Sequence, residues 1–155
     1  MSTVIASVDV GVPVRTAYNQ WTQFESFPLF MSGVESIKQV DDRHLHWSTK
    51  VGGVRREFDT EIVVQQPDER IAWRSTGGDV RHAGVVPFDQ IGAEATRVTI
   101  QLEWEPSGMV EQAGSALGLD SHQVRADTDR FKKFIEDRRQ ETGGWRGTIT
   151  PRQPM

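Results

Sequence analysis

Few residues in this chain could carry chemistry, and most of them fall in its middle third. His82 precedes Gly84 by two positions in an alternating stretch, so the missing side chain at 84 leaves room in front of an imidazole on the same strand face. In a cavity such an imidazole could orient a ligand or act as general acid and base; at a sheet rim it would simply be solvated. Arg56 alternates in phase with Phe58, Thr60 and Ile62. On an apolar face its guanidinium would neutralise a carboxylate or an enolate, and at a strand end it would pair with a surface carboxylate. His82 and Arg56 are the candidate catalytic residues. His44 and His46 share one strand face, but without a third ligand at suitable spacing no metal site is expected. Arg55, Glu57, Asp59 and Glu61 share a face as well, where cross-strand pairing on a wet surface explains them better than acid–base work. With no cysteine there is no thiolate nucleophile and no disulfide framework. Neither a nucleophile elbow, a P-loop nor a dinucleotide fingerprint occurs, so hydrolase, NTPase and dinucleotide chemistry lack support and no cofactor is expected.

The rings are the second signal. Five Trp and seven Phe stand against a single Tyr, Tyr18. Period-two phasing points Trp47, Phe58, Trp73, Phe88 and Trp104 to one side of a sheet, with Arg56, Thr60, Ser75 and His82 as the polar residues on those faces. Twelve large rings either fill an ordinary core or line a cavity, and periodicity does not choose between the two.

The elements that must position these residues follow from pattern changes. Val4–Val10 alternates and stops at Gly11 and Pro13, which reads as a strand. Val14, Ala17, Tyr18 and Trp21 then share a helical face, and rings recur at every third position from Phe24 to Phe30 around Pro28, a second short helix ended by Gly33. From Val34 to Glu105 six strands succeed one another, with turns at Asp41-Asp42, Gly52-Gly53, Pro67-Asp68-Glu69, Gly77-Gly78-Asp79 and near Gly92. A short helix carrying Gly114 and Gly118 reads either as a lid over a pocket mouth or as a kink between helices. Asp120, with Gln123 behind it, caps a long helix whose face is Val124, Thr128, Phe131, Phe134, Ile135 and Arg138. Gly143-Gly144 ends it, and residues 148–155 read as a tail.

The 155 residues make one domain large enough to bury a core, and the charge of −4 with a pI near 5.6 argues against nucleic-acid binding. No apolar run reaches the ~20 residues of a membrane span and no signal peptide opens the chain, so a cytoplasmic protein, monomeric or a weak homodimer, is expected.

Trp21–Met31 followed by Gly33-Val34-Glu35, the block Asp68–Ser75, and the helix Arg130–Glu136 resemble the START-like, helix-grip superfamily. Within it the match is to the polyketide cyclase/dehydrase-like branch, grouped under the SRPBCC name, over roughly residues 3–147. The resemblance implies an α+β fold: a curved seven-stranded antiparallel sheet, in the order strand, two helices, six strands, helix, gripping the last helix around a hydrophobic pocket. It implies one ligand-binding domain over residues 1–147 that takes a small hydrophobic molecule, aromatic, polyketide or lipid-like. The expected lining is Trp47, Phe58, Thr60, Trp73, Ser75, Gly84, Phe88 and Trp104 from the sheet, with Phe30 and Phe131 from the helices. A cyclase or dehydratase using His82 and Arg56, and a protein-interaction module, are the alternatives. A single tyrosine on a helical core face weakens the cyclase alternative.

Overall fold

Residues 2–51, 54–78, 80–106 and 121–149 are described by the structure, a computed structural model. The chain runs β1 (Ser2–Val10), α1 (Val14–Trp21), a 3-10 helix (Phe24–Leu29), then β2 (Val34–Gln39), β3 (His44–Val51), β4 (Val54–Gln66), β5 (Arg70–Gly78), β6 (Val80–Gly92) and β7 (Ala95–Pro106), and ends in α2 (Ser121–Arg138). The strands form one antiparallel sheet in the order β1-β7-β6-β5-β4-β3-β2. This is the expected α+β helix-grip architecture, a curved sheet closed by the C-terminal helix. The short glycine-bearing helix, the Gly52-Gly53 turn and the Asp120 cap fall outside the described residues.

Alternation decides which side of the sheet is dry. Trp47, Phe58, Ile62, Ile71, Trp73, Val86, Val98, Ile100 and Leu102 are buried on the concave side. Glu57, Asp59, Arg74 and Arg97 stand on the wet side, where ion pairs such as Asp9–Arg97 cross between strands. The α2 helix sits across β1, with Lys132 Nζ donating to the Asp9 carbonyl at 2.7 Å and the Gly11 N–H to Glu136 at 2.7 Å.

The second short helix is a 3-10 helix, and its ring spacing explains why. Three residues per turn place i and i+3 on one side. Phe24 and Phe27 therefore sit 5.3 Å apart, and Phe27 and Phe30 5.6 Å apart, as one ladder of rings. Pro28 has no N–H to lose there.

Gly77 and Gly78 close β5 opposite Asp59 and Phe58 across a register slip, and the antiparallel β6 begins at Val80, so the chain reverses where the glycines signalled a turn. Gly78 has φ 114°, and a Cβ there would lie 2.4 Å from the Phe58 Cα, so only glycine lets the backbones approach this closely. The chain also remains attached beyond residue 147. Ile149 is buried and exchanges two backbone hydrogen bonds of 2.9 Å with Gln65. Before it, Thr142 and Trp145 donate their N–H groups to Gln20 and Thr22 of the α1 region, and Arg146 reaches Asn19 and Asp68, each at 2.8 Å. The strap formed by residues 141–149 thus explains why α1 buries Asn19 and Gln20 on the side away from its apolar face.

Candidate functional site

A cavity of about 30 Å³ lies between the concave face and the first turns of α2. Its described walls are Trp47 and Thr49 of β3, Phe58 of β4, Trp73 of β5, His82 of β6, Ile100 and Leu102 of β7, Val124 and Asp127 of α2, and Met31, Gly33 and Val34 from the 3-10 helix to β2. The volume holds about two waters. A pocket between sheet and helix, as the resemblance implies, is thus present, and as its described walls bound it the space is small. The reason is register. Trp47 pairs directly with Phe58 and stacks on it, centroids 5.5 Å apart and planes 17° apart, and Trp73 closes to 6.0 Å from Trp47. The rings fill one another's space.

His82 is buried in this wall, 6% exposed, rather than solvated at a rim. Its ring meets Trp47 and Phe58 edge-on, at 5.7 and 5.6 Å. The Trp73 indole N–H donates to His82 Nε2 at 3.1 Å. Nδ1 is buried and has no close, well-aligned partner among the described residues, although the Glu103 main-chain carbonyl interacts with the ring. Burial pushes the imidazole pKa down to about 4, partly offset by the nearby Glu103 carbonyl, so the ring is neutral at pH 7. Gly84 does not leave space in front of His82. A Cβ at 84 would lie 2.5 Å from Trp73 Cζ2, so the indole occupies that room.

The remaining expected residues divide by location. Thr60 is buried, but its hydroxyl accepts the Trp47 indole N–H at 2.8 Å. Ser75 Oγ accepts the His82 main-chain N–H at 2.9 Å. Both hydroxyls are thus engaged within the protein. Phe30 and Phe131 pack on each other at 5.1 Å and on Trp21, in the helix-side core and away from the cavity. Phe88 meets Tyr18 edge-on at 5.4 Å, again outside the cavity wall. Tyr18 is itself buried, with its hydroxyl pushed up to about 12 chiefly by burial, which removes it from acid–base work at neutral pH. The Trp104 side chain falls outside the described residues; its backbone pairs with Ser2 and His82. Arg56 is half-buried, its Nε enclosed without a hydrogen bond among the described residues, and it is not part of the cavity wall.

Thr49 and Asp127 line the cavity unanticipated. Thr49 Oγ1 caps the Arg56 carbonyl at 3.3 Å. Asp127 is 8% exposed, pairs with Arg130, and accepts the Ser32 N–H and hydroxyl, both at 3.3 Å. Its signal was legible: Asp127 follows Val124 by three residues on the apolar face of α2, where a carboxylate needs a reason. No group of three or more metal-ligating side chains occurs among the described residues. No helix among them is long and apolar enough to cross a membrane.

Residues 10–135 match the family described as polyketide cyclase / dehydrase and lipid transport. Over 149 residues the chain is 54% identical to an uncharacterized 17.2 kDa protein of Streptomyces lincolnensis, covering 96% of this chain and 99% of the relative. Among solved structures, a protein of Deinococcus radiodurans superposes with a TM-score of 0.72 at 28% identity, covering 88% of this chain and 98% of its own. A START superfamily protein from Mycobacterium smegmatis does so with a TM-score of 0.68 at 15% identity, over 88% of this chain and 95% of its own, a likeness of fold.

Proposed function

The chain belongs to the polyketide cyclase / dehydrase and lipid transport family, and on that premise we propose that it binds a small hydrophobic molecule between its concave sheet face and α2. The observation that carries this reading is the cavity wall: three stacked or edge-on rings and four aliphatic side chains, with His82, Asp127 and Thr49 as the polar groups. Apolar walls with a few convergent polar groups are the ordinary chemistry of ligand sites. A cyclase working through His82 and Arg56 together is less well supported, because Arg56 stands outside that wall.

A guest larger than two waters must displace part of the wall. Strands β3 to β7 resist displacement, since each is held by ladder hydrogen bonds on both sides. The seam between Met31–Val34 and Val124–Asp127 carries two Ser32–Asp127 hydrogen bonds of 3.3 Å, long for their type. Entry there widens the cavity without breaking the sheet.

Thermal unfolding with a panel of neutral one- and two-ring aromatics tests the reading. A ligand present at a hundred times its Kd adds about 2.7 kcal/mol to stability, a rise in Tm of roughly 5–10 °C for a chain of this size. Tm unmoved across the panel, with no small molecule released on denaturing the purified protein for mass spectrometry, overturns it.

A further inference from the structure

We infer that the outer face of the sheet, on the side away from the cavity, pairs with the same face of a second copy of this chain about a two-fold axis running along β6. Cross-strand register places Ile5 of β1, Gln101 of β7, Val85 of β6 and Ala72 of β5 in one row across that face. The row ends on β4, where a bulge sets Val63 and Val64 against Ala72. All but Gln101 are apolar, on the face that alternation otherwise leaves to polar residues. Ile5 is 59% exposed, and Val63, Ala72 and Val85 are partly exposed. Val63, Ala72, Ala83, Val85 and Gln101 wall an open depression of about 310 Å³, left by the small side chains at 72 and 83 and by their absence at Gly84. A lone exposed isoleucine needs no explanation, but here a knob and a hollow share one row on one face.

Strand order makes that face self-complementary. In the run β1-β7-β6-β5-β4 the middle strand is β6. A two-fold axis along it, lying between two facing sheets, exchanges β7 with β5 and β1 with β4. Val85 then meets Val85, Gln101 meets Ala72, and Ile5 of each copy sits over Val63 and Val64 of the other. The next row, two residues along each strand, holds Glu103, Ala83 and Arg74. The same operation sets Glu103 of each copy against Arg74 of the other, so one exchange matches the apolar row and the charges together. Within its own chain the Arg74 side chain is 66% exposed and reaches Glu61 only at 3.9 Å. At ~4.8 Å per strand and ~3.4 Å per residue these rows cover about 400 Å² per copy, an area that suits a weak, reversible dimer.

Sedimentation equilibrium from about 10 µM to about 1 mM reads the association. The expected result is a monomer–dimer equilibrium in the unaltered protein, weakened roughly tenfold or more by Ile5→Glu, a change at an exposed position. Arg74→Glu and Glu103→Arg each set two like-charged pairs across the axis, and each alone should weaken association by roughly tenfold or more. Mixed one to one, the two variants form a heterodimer in which both contacts again join opposite charges, and association should return toward that of the unaltered protein. Damage to the fold by either substitution cannot give that recovery. A monomer throughout the range, whether the face stays bare or takes another partner, overturns the inference. So does a dimer indifferent to Ile5→Glu, or a mixture that associates no better than its components. The unaltered protein and Ile5→Glu decide the matter even if a charge variant does not fold. None of these outcomes bears on the cavity, which lies on the other side of the sheet.

Discussion

Acidification should unfold this protein partly through one imidazole. The unfolded chain takes up a proton at His82 near pH 6.5, whereas the buried ring does so only near pH 4. Between those values the unfolded state binds more protons, so stability falls as pH drops through that window. A ring that titrates near 4 instead of 6.5 corresponds to about 3 kcal/mol lost between pH 7 and pH 4. The comparison protein is His82→Gln, which keeps an acceptor for the Trp73 indole and cannot titrate. Urea unfolding of both proteins at pH 7, 6, 5 and 4 yields the difference in stability at each pH. Carboxylates held below their usual range by cationic or hydrogen-bonding partners, such as Asp9, Asp41 and Glu136, titrate in both proteins and cancel. The difference should shrink by about 3 kcal/mol toward pH 4 and then level off. A difference that is constant from pH 7 to pH 4 would refute the burial of a neutral His82.

Three further outcomes are expected. Gly84→Ala drives a methyl into the Trp73 indole and should cost about 1–3 kcal/mol by overpacking, with a changed near-ultraviolet circular dichroism spectrum from the displaced ring. Ile149→Ala should cost about 2–4 kcal/mol in denaturant unfolding if the strap is part of the core, whereas an unchanged midpoint would make residues 148 and beyond a mere tail. His46, bonded to Glu57 at 2.9 Å and Asp59 at 2.7 Å, has its pKa raised, first by Glu57 and then by Asp59. Its stabilisation is present below pH 6.5 and lost as pH rises through the raised value; an NMR titration should show that value fall in Glu57→Gln and in high salt.

Much of the fold was legible because alternation and turn residues are local signals. The inward face of Trp47, Phe58, Trp73 and Phe88 follows directly from period two. The long helix follows from Val124, Phe131 and Ile135. What the pattern could not supply was distance. Whether Trp47 and Phe58 face each other or straddle a space depends on which residue of β3 pairs with which of β4, and that register leaves no trace in either strand alone. Gly77-Gly78 shows the same limit: paired glycines signal the turn between β5 and β6, and only the neighbouring strand shows that Gly78 also permits close contact with Phe58. The engagement of Ser75 and Thr60 by His82 and Trp47 likewise lies between strands. Asp127 was visible as a polar residue out of place on an apolar face, a signal distinct from the ring count.

The pairing of β1 with β7 has a consequence for how the molecule is made. Ser7 and Thr99, hydrogen-bonded at 3.0 Å, are 92 positions apart, while every other strand pairs with one adjacent to it in sequence. A growing polypeptide can zip β2 through β7 hairpin by hairpin, but β1 has no partner until β7, Ala95–Pro106, has been made. Contacts of such long range slow folding and leave an unpaired strand open to aggregation in the interval. A circular permutant that joins the end of the strap to Ser2 and opens the chain at the β3–β4 turn would start on β4, whose neighbour β5 follows at once, and should shorten that exposed interval.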